Sequence, residues 1–224
     1  MKLLTLSTVA ALAFLISQTT VVTAGTLTDI TRPGDPLVIV NGFNQNDGNF
    51  GPPPAGEVES HAIDDIGQKY LNFLDIQSGF AVTPSANPDS LPVVGIRFYT
   101  ANDAVERDPA SFQLSGSNDS INGPWTYIAS GNLALPEGRN AGGGAVVIPP
   151  TGNLGAVHQE VLFSNADSFE HYMVVFPTLK NAATANSMQI AEVEILADII
   201  PEPSTSFMLG IGVVGLAVLR RRRK

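Results

Sequence analysis

The 224-residue sequence contains no cysteine and only one tryptophan. The lack of cysteine excludes disulfides, thiol nucleophiles, iron–sulfur clusters and cysteine-ligated zinc. A domain of this size can fold without disulfides, because it can bury enough apolar surface. The sequence also lacks the HExxH, GxSxG, phosphate-loop and dinucleotide-binding patterns, and its three histidines have no paired spacing. These absences favour a binding or structural protein over the common classes of enzyme.

Positive charge is scarce in the central part of the chain. Six of the 12 Lys and Arg residues, but only one of the 21 acids, lie in the terminal segments 1–24 and 201–224, so residues 25–200 carry a net charge of about −14. A surface of this sign repels nucleic acid and anionic lipid. It is compatible with neutral ligands and with divalent cations.

The N-terminal segment, residues 1–24, has the pattern of a secretory signal peptide. One cation, Lys2, precedes an apolar stretch, and Val22 and Ala24 provide the small side chains that signal peptidase requires. Cleavage between Ala24 and Gly25 would begin the mature chain. The alternative is a buried N-terminal helix.

The C-terminal segment reads PEPSTSFMLGIGVVGLAVLRRRRK. Pro201, Glu202 and Pro203 precede an apolar segment, residues 207–219, and five cations follow it. As a helix, this segment would span about 20 Å, which is short of the roughly 30 Å hydrocarbon core of a bilayer. The cations predict that this end stays cytoplasmic. The central part of the chain, residues 25–200 and called the body below, would then face the opposite side of the membrane. An ordinary tail anchor is the alternative.

This tail resembles the PEP-CTERM sorting signal of Gram-negative exosortase systems. The resemblance implies export, transient anchoring in the inner membrane with the body in the periplasm, and cleavage by exosortase near Pro201–Pro203. Producers of such proteins typically make extracellular polysaccharide. The implied final location is therefore the cell surface or the extracellular matrix.

The central part of the chain reads as many short strands. Gly, Pro, Asn, Asp and Ser punctuate short apolar runs. In the run VVGIRFYT, Val94, Ile96 and Phe98 alternate with residues of the opposite face, as in a half-buried strand. Segments 41–56 and 137–155 are predicted to be long loops. The predicted strands are Leu37–Asn41, Gly79–Val82, Val93–Tyr99, Ser111–Gly116, Trp125–Ser130, Gln159–Phe163, His171–Phe176 and Met188–Leu196.

Four stretches of the body resemble galactose-binding-like domains of the discoidin, or coagulation-factor C, type. They are AIDDIGQKYLNFL at 62–74, the segments 96–119 and 125–133, and MQIAEVEIL at 188–196. The sequence departs from the family at Asp65, where glycine is usual. The resemblance implies an all-β fold with a single jelly-roll β-sandwich, flanked here by an N-terminal signal helix and a C-terminal hydrophobic helix.

The same resemblance implies a structural Ca²⁺ ion that joins an early loop to the last strand. Asp64 and Glu192 stand at the matching positions, and Asp65 is a candidate third ligand. Carboxylate and carbonyl oxygens are the ligands that Ca²⁺ takes in proteins. The alternative is that Asp64 begins a turn and Glu192 is solvated.

Candidate ligand-binding residues surround the predicted loop TANDAVERDP. Arg97, Glu106, Arg107 and Asp108 carry the guanidinium and carboxylate groups that bind sugar hydroxyls well. The alternative is that these groups pair with one another on an ordinary surface. The lone tryptophan, Trp125, is expected to pack in the core rather than to stack on a sugar.

The sequence thus predicts an exported, non-catalytic module of the cell surface or matrix that is associated with polysaccharide. Signal peptidase and exosortase are the expected processing partners, and no nucleic-acid partner is expected. One alternative is a purely structural matrix component without a specific ligand. Another is a polysaccharide hydrolase that works through paired carboxylates.

Overall fold

The computed structural model describes residues 26–40, 53–87 and 90–199, which form eleven strands and three short 3₁₀ helices. The strands are β1 (Thr26–Asp29), β2 (Leu37–Val40), β3 (Tyr70–Asn72), β4 (Ser78–Val82), β5 (Val93–Tyr99), β6 (Ser111–Ser117), β7 (Thr126–Asn132), β8 (His158–Leu162), β9 (His171–Phe176), β10 (Met188–Ile190) and β11 (Glu192–Ile199). The 3₁₀ helices are Glu59–Ile63, Val105–Arg107 and Gly143–Ala145.

The predicted terminal helices and processing residues lie outside the described residues. No helix within the described ranges is both long and apolar enough to cross a membrane.

Two antiparallel sheets pack face to face as a β-sandwich. One sheet has the strand order β1-β11-β5-β8 and the other has the order β2-β4-β9-β6-β7, while β3 pairs with β10 alone. The core between the sheets is apolar, and Phe98 of the first sheet lies 5.2 Å from Phe112 and 6.1 Å from Phe176 of the second, measured between ring centroids. The predicted all-β sandwich is confirmed.

The predicted strands match the structure closely, with two omissions and one division. The short strands β1 and β3 were not predicted, because TLTD and YLN are too short to show alternation. The predicted last strand divides at Ala191. Its first part pairs with β3, whereas its second part pairs with both β1 and β5.

The alternation predicted for β5 holds with one exception. Ile96 and Phe98 belong to the sandwich core, but so does Val93, while Val94 does not. The cause is a shift in the pairing register with β11, where Leu196 faces Gly95 and the next residue faces Val93. The extra residue turns Val94 away from the core.

The outer face of β5 and β11 is also buried, which the sequence did not predict. The loop between β7 and β8, residues 133–157, covers this face, and Ile148 and Ala156 pack with Tyr99 and Ala191 in a second small core. Residues that would otherwise face solvent on these strands are therefore enclosed.

A buried amide holds this covering loop in place. The Nδ2 of Asn140 donates to the carbonyl oxygens of Thr100 and Val157, each at 2.9 Å, and its Oδ1 accepts from the Val157 amide at 2.8 Å. Asn140 is only 5% exposed. Its three hydrogen bonds join the loop to the end of β5 and to the start of β8.

Candidate functional site

Three carboxylates converge beneath loop 133–157. Asp29 ends β1, Glu192 begins β11, and Asp65 lies in the turn after the 3₁₀ helix Glu59–Ile63. One oxygen of each carboxylate lies within 4.8 Å of the other two. Asp29 and Glu192 are fully buried and Asp65 is half-buried. The arrangement gathers negative charge from three separate elements into one enclosed space.

Part of this cluster is satisfied by the protein itself. Oδ1 of Asp29 accepts from the amides of Thr31 at 3.1 Å and Ile195 at 2.9 Å, and Oδ2 accepts from the Thr31 hydroxyl at 2.7 Å. In contrast, Oδ1 of Asp65 and Oε1 of Glu192 are buried without a hydrogen-bond partner among the described residues. Buried polar atoms are normally paired, so these two oxygens call for another partner.

Burial makes the charged form of the cluster unfavourable. It raises the pKa of Asp29 to about 8, and it also raises the pKa of Asp65. The pKa of Glu192 is raised well above its usual range, first by burial and then by repulsion from Asp29. In the absence of a positive partner, Asp29 would therefore retain its proton at neutral pH.

The residues fit a hard divalent cation. All three groups offer carboxylate oxygens, the donor type that Ca²⁺ prefers. A cation would give the unpartnered oxygens of Asp65 and Glu192 a partner and would offset the repulsion within the cluster.

The structure brings together two of the three predicted metal ligands and adds one. Asp65 and Glu192 meet, with Asp29 as the third residue. The carboxylate of Asp64 instead accepts from the Ile66 amide at 3.2 Å, as in the turn that the sequence offered as an alternative. The main-chain amide of Asp64 nevertheless donates to Glu192 Oε2 at 3.1 Å. Asp29 was missed because a single acid in a short strand gives no motif.

The backbone at Asp65 explains why glycine is usual at this position in the resembled family. Asp65 has a φ of 62°, which lies in the left-handed region that glycine enters most easily. Aspartate tolerates this region better than most residues. The chain keeps the turn and gains a carboxylate.

Two of the four residues that were predicted to bind a sugar ligand, Arg97 and Asp108, are enclosed in the protein. Arg97 is 4% exposed; its Nη2 donates to Glu160 at 2.6 Å and its Nη1 donates to the buried Glu194. Asp108 is fully buried and accepts from Arg139 at 2.7 and 2.8 Å. Both therefore hold elements of the protein together and are not open to a ligand from solvent.

The other two residues of that set lie on the 3₁₀ helix Val105–Arg107. Glu106 and Arg107 are half-buried, and Nε of Arg107 has no partner among the described residues. Trp125, which was expected in the core, is half-buried beside Gly123 and is not part of the main core cluster. The predicted ligand set thus does not form one exposed surface.

A polar cleft of about 170 Å³ is lined in part by the segment that follows Asp65 in the chain. Its lining residues are Gly56, Glu57, Gly67, Gln68, Lys69, Asn102, Gly143 and Gly144. The cleft joins the segment after Asp65 to loop 133–157, since Gly67 donates to the Val146 carbonyl oxygen at 2.7 Å. Among the described residues, the side-chain amides of Gln68 and Asn102 make no hydrogen bond. No sequence motif marks this cleft, because its residues come from four separate segments.

Comparison with protein families accounts for the tail. Residues 200–223 match the family model of the PEP-CTERM protein-sorting motif. The chain carries this sorting motif. A motif of this type indicates export and a membrane-anchoring sorting signal, as the sequence predicted. No curated protein matches this chain.

Solved structures account for the body. The family 32 carbohydrate-binding module of C. perfringens NanJ, solved in complex with galactose, is 12% identical, with a TM-score of 0.50 over 76% of this chain and 98% of that module. An F5/8 type C domain from Bacteroides fragilis is 11% identical, with a TM-score of 0.50 over 79% of this chain and 99% of that domain. At these identities the likeness shows the fold, which is the galactose-binding-like, discoidin-type sandwich predicted from the sequence.

Proposed function

We propose that this chain is an exported, non-catalytic module that binds polysaccharide at the cell surface or in the extracellular matrix. The observation that carries the proposal is the polar cleft next to the turn at Asp65, on the same fold as a module solved with galactose. The PEP-CTERM motif at 200–223 supports delivery of this module to the outside of the cell.

The chemistry of the cleft suits neutral sugar hydroxyls. The amides of Gln68 and Asn102 both donate and accept hydrogen bonds, as hydroxyl groups do. Lys69 is already held between Glu57 at 3.1 Å and Asp103 at 2.9 Å, so it adds little free positive charge for an anion. The acidic body disfavours anionic ligands as well.

A Ca²⁺ ion bound by Asp29, Asp65 and Glu192 is part of this proposal. It would supply a positive centre that neutralises the buried carboxylates and ties β1, β11 and the turn at Asp65 together. The turn at Asp65 leads directly into Gly67, Gln68 and Lys69, which line the cleft. The ion's role in the proposal is structural and involves no reaction.

Processing and location complete the proposal. Signal peptidase would cleave after Ala24, and exosortase would cleave near Pro201–Pro203 after a transient stay in the inner membrane. The matched sorting motif supports the second step. The released body would then reach the cell surface or the matrix.

The cleft offers little support for hydrolysis. Glycosidases use two carboxyl groups about 5–10 Å apart on either side of the bond that is cleaved. Among the described residues that line the cleft, Glu57 is the only acid, and it is paired with Lys69. We expect no release of reducing sugar from any polysaccharide that the protein binds.

A glycan array followed by titration of the best binder tests the proposed binding. We expect the double variant Gln68→Ala/Asn102→Ala to weaken binding at least tenfold, because it removes both free amides. The variant Asn122→Ala, which changes an exposed amide away from the cleft, is the matched control and should bind normally. Absence of binding to every glycan would favour the purely structural alternative.

A further inference from the structure

A second pocket lies at the opposite end of the sandwich. It has a volume of about 200 Å³ and is lined by Thr83, Pro84, Asn87, Ser90, Phe169, Glu170 and Tyr172. Its residues Asn87 and Ser90 precede the start of β5, whereas Asn102 of the polar cleft follows the end of β5. The two concave sites therefore lie at opposite ends of the same strand.

An aromatic ring forms one wall of this pocket. Phe169 is half-buried and lies so close over Gly116 that a side chain at Gly116 would overlap the ring. Its other neighbour is Tyr172, with ring centroids 6.2 Å apart in an edge-to-face arrangement. The ring is thus fixed in place before any ligand arrives.

The polar groups beside this ring include one carboxylate, which only accepts hydrogen bonds, and two hydroxyls, which both donate and accept. Glu170 is exposed, and its carboxylate has no ion pair or hydrogen bond among the described residues. The main-chain amide of Glu170 is bound to Asn118 at 2.9 Å, which fixes the backbone beneath the carboxylate. Thr83 is held by His171 at 2.7 Å, and the exposed Ser90 provides a second hydroxyl. An ionised carboxylate only accepts, so the ligand must donate.

The far wall of the pocket is also fixed in advance. The side chain of Asn87 accepts from the Leu91 amide at 2.9 Å and donates to the Leu91 carbonyl oxygen at 3.1 Å. Both hydrogen bonds lie within this loop, so the side chain of Asn87 is held in place without a ligand. A site that is ordered before binding loses less entropy when it is filled.

We propose that this pocket is a second saccharide subsite that accommodates one neutral sugar unit. An apolar ring for the C–H face of a sugar stands next to a free carboxylate and two hydroxyls for its hydroxyl groups. The size of the pocket suits a single sugar ring, and the negative net charge of the body disfavours anions. The inference rests on the proposed binding of polysaccharide and adds a second point of attachment.

Two sites at opposite ends would let one molecule bridge two polysaccharide chains. Linked sites gain avidity only when both can be filled, and sites that face apart favour separate chains over one. A secreted module of this kind would cross-link a matrix as well as attach to it.

Chemical-shift mapping tests the inference, with exported protein purified from cells that produce the full-length precursor. The probes are galactose, glucose and N-acetylglucosamine. We expect one of them to shift the amide resonances of Phe169 and Glu170 in the wild type. In a titration followed by these shifts, Glu170→Gln should raise the Kd for the sugar about tenfold, because it removes a charged acceptor. Asp119→Asn, an exposed acid at the same end but outside the pocket, is the control and should respond as the wild type does.

The outcomes separate the two proposals. If sugars shift only the cleft residues Gln68, Asn102 and Gly144, and Glu170→Gln binds like the wild type, the second subsite is wrong and the proposed function stands. If no sugar shifts any resonance and no glycan binds, both are wrong. Turbidity of a polysaccharide that the wild type binds should rise on addition of the wild type but not of Glu170→Gln.

Discussion

At the scale of single residues, the buried carboxylate of Glu192 is the most informative group. Glu192 is fully buried, and one of its oxygens has no partner among the described residues. Leaving such a charge unpaired is costly, so its partner determines how stable this part of the sandwich is.

The first prediction concerns Glu192→Gln. We expect chelation with EGTA to lower the melting temperature of the wild type by about 5–10 °C, because a ligand at 100 times its Kd contributes about 2.7 kcal/mol. The same treatment should leave Glu192→Gln unchanged, and calorimetry measures both. The control Asp119→Asn should behave as the wild type does. A wild-type midpoint that is insensitive to EGTA would argue against the cation.

The second prediction concerns pH. The folded-state pKa of Asp29 is raised to about 8, so in EGTA the folded protein holds more protons than the unfolded chain between about pH 4 and pH 8. The free energy of unfolding should therefore fall as the pH rises through this range. Saturating Ca²⁺ should weaken this dependence, since it stabilises the ionised form. Denaturation with urea at several pH values measures the free energy of unfolding. Identical pH profiles of this free energy with and without Ca²⁺ would contradict the prediction.

At the residue scale, the sequence predicted part of the site and missed the rest for a clear reason. The resemblance pointed to Asp64 and Glu192, with Asp65 as an added candidate. Asp65 and Glu192 meet in the structure, whereas the carboxylate of Asp64 accepts from the Ile66 amide. Asp29 lies 163 positions before Glu192 and has no motif. Arg97 and Asp108 have the chemistry of ligand-binding residues, but burial beneath loops engages them in internal ion pairs. Chemical type can be read from a sequence, whereas burial depends on packing.

At the scale of elements, the loop 133–157 depends on the residues that carry the carboxylate cluster. The main-chain amide of Asp29 donates to Pro150 at 2.7 Å, and the carbonyl oxygen of Asp65 accepts from Ile148 at 2.8 Å. Tyr99 joins the same loop to β11, because its hydroxyl accepts from Asn153 and donates to Glu194, both at 3.0 Å. Main-chain hydrogen bonds at Asp29 and Asp65 therefore join the carboxylate cluster to the loop.

The third prediction follows from these main-chain hydrogen bonds between the carboxylate cluster and the loop. We expect removal of Ca²⁺ to speed hydrogen exchange at the Ile148 amide while the amide of Val174, in the centre of β9, keeps its protection. Asn140→Ala should speed exchange across the loop even with Ca²⁺ present, and it should destabilise the protein by about 2 kcal/mol, because it leaves buried backbone groups unpaired. Equal exchange of Ile148 with and without Ca²⁺ would contradict the coupling.

Strand positions were easier to predict than what covers them. Alternation located β5, β9 and β11, since one face of each packs into the sandwich core. It did not show that the outer face of β11 is enclosed, where Glu194 lies beneath the loop at 0% exposure. A polar residue in an alternating pattern is expected to face solvent, and the pattern does not show whether a loop covers that residue.

At the scale of the whole molecule, the central body and the sorting motif have separate tasks. In the part of the body that the structure describes, the polar cleft and the second pocket lie toward opposite ends of β5. The motif at 200–223 indicates export and a membrane-anchoring sorting signal. The last described strand, β11, ends at Ile199, immediately before this motif.

The fourth prediction concerns processing. The intact mass of the protein recovered from its native host should correspond to a chain that begins at Gly25 and ends near Pro201–Pro203, with any attached glycan as additional mass. Such a mass would show that both terminal segments had been removed. A mass that retains residues 204–224 would contradict cleavage at the sorting motif.

The most direct test of the central claim is a binding isotherm between the exported protein and the extracellular polysaccharide of its own host, measured in Ca²⁺ and in EGTA. We expect saturable binding in Ca²⁺, weaker binding in EGTA, and a further loss of affinity in the Gln68→Ala/Asn102→Ala variant. A folded wild-type protein that binds neither this polysaccharide nor any glycan on an array would contradict the proposed binding of polysaccharide.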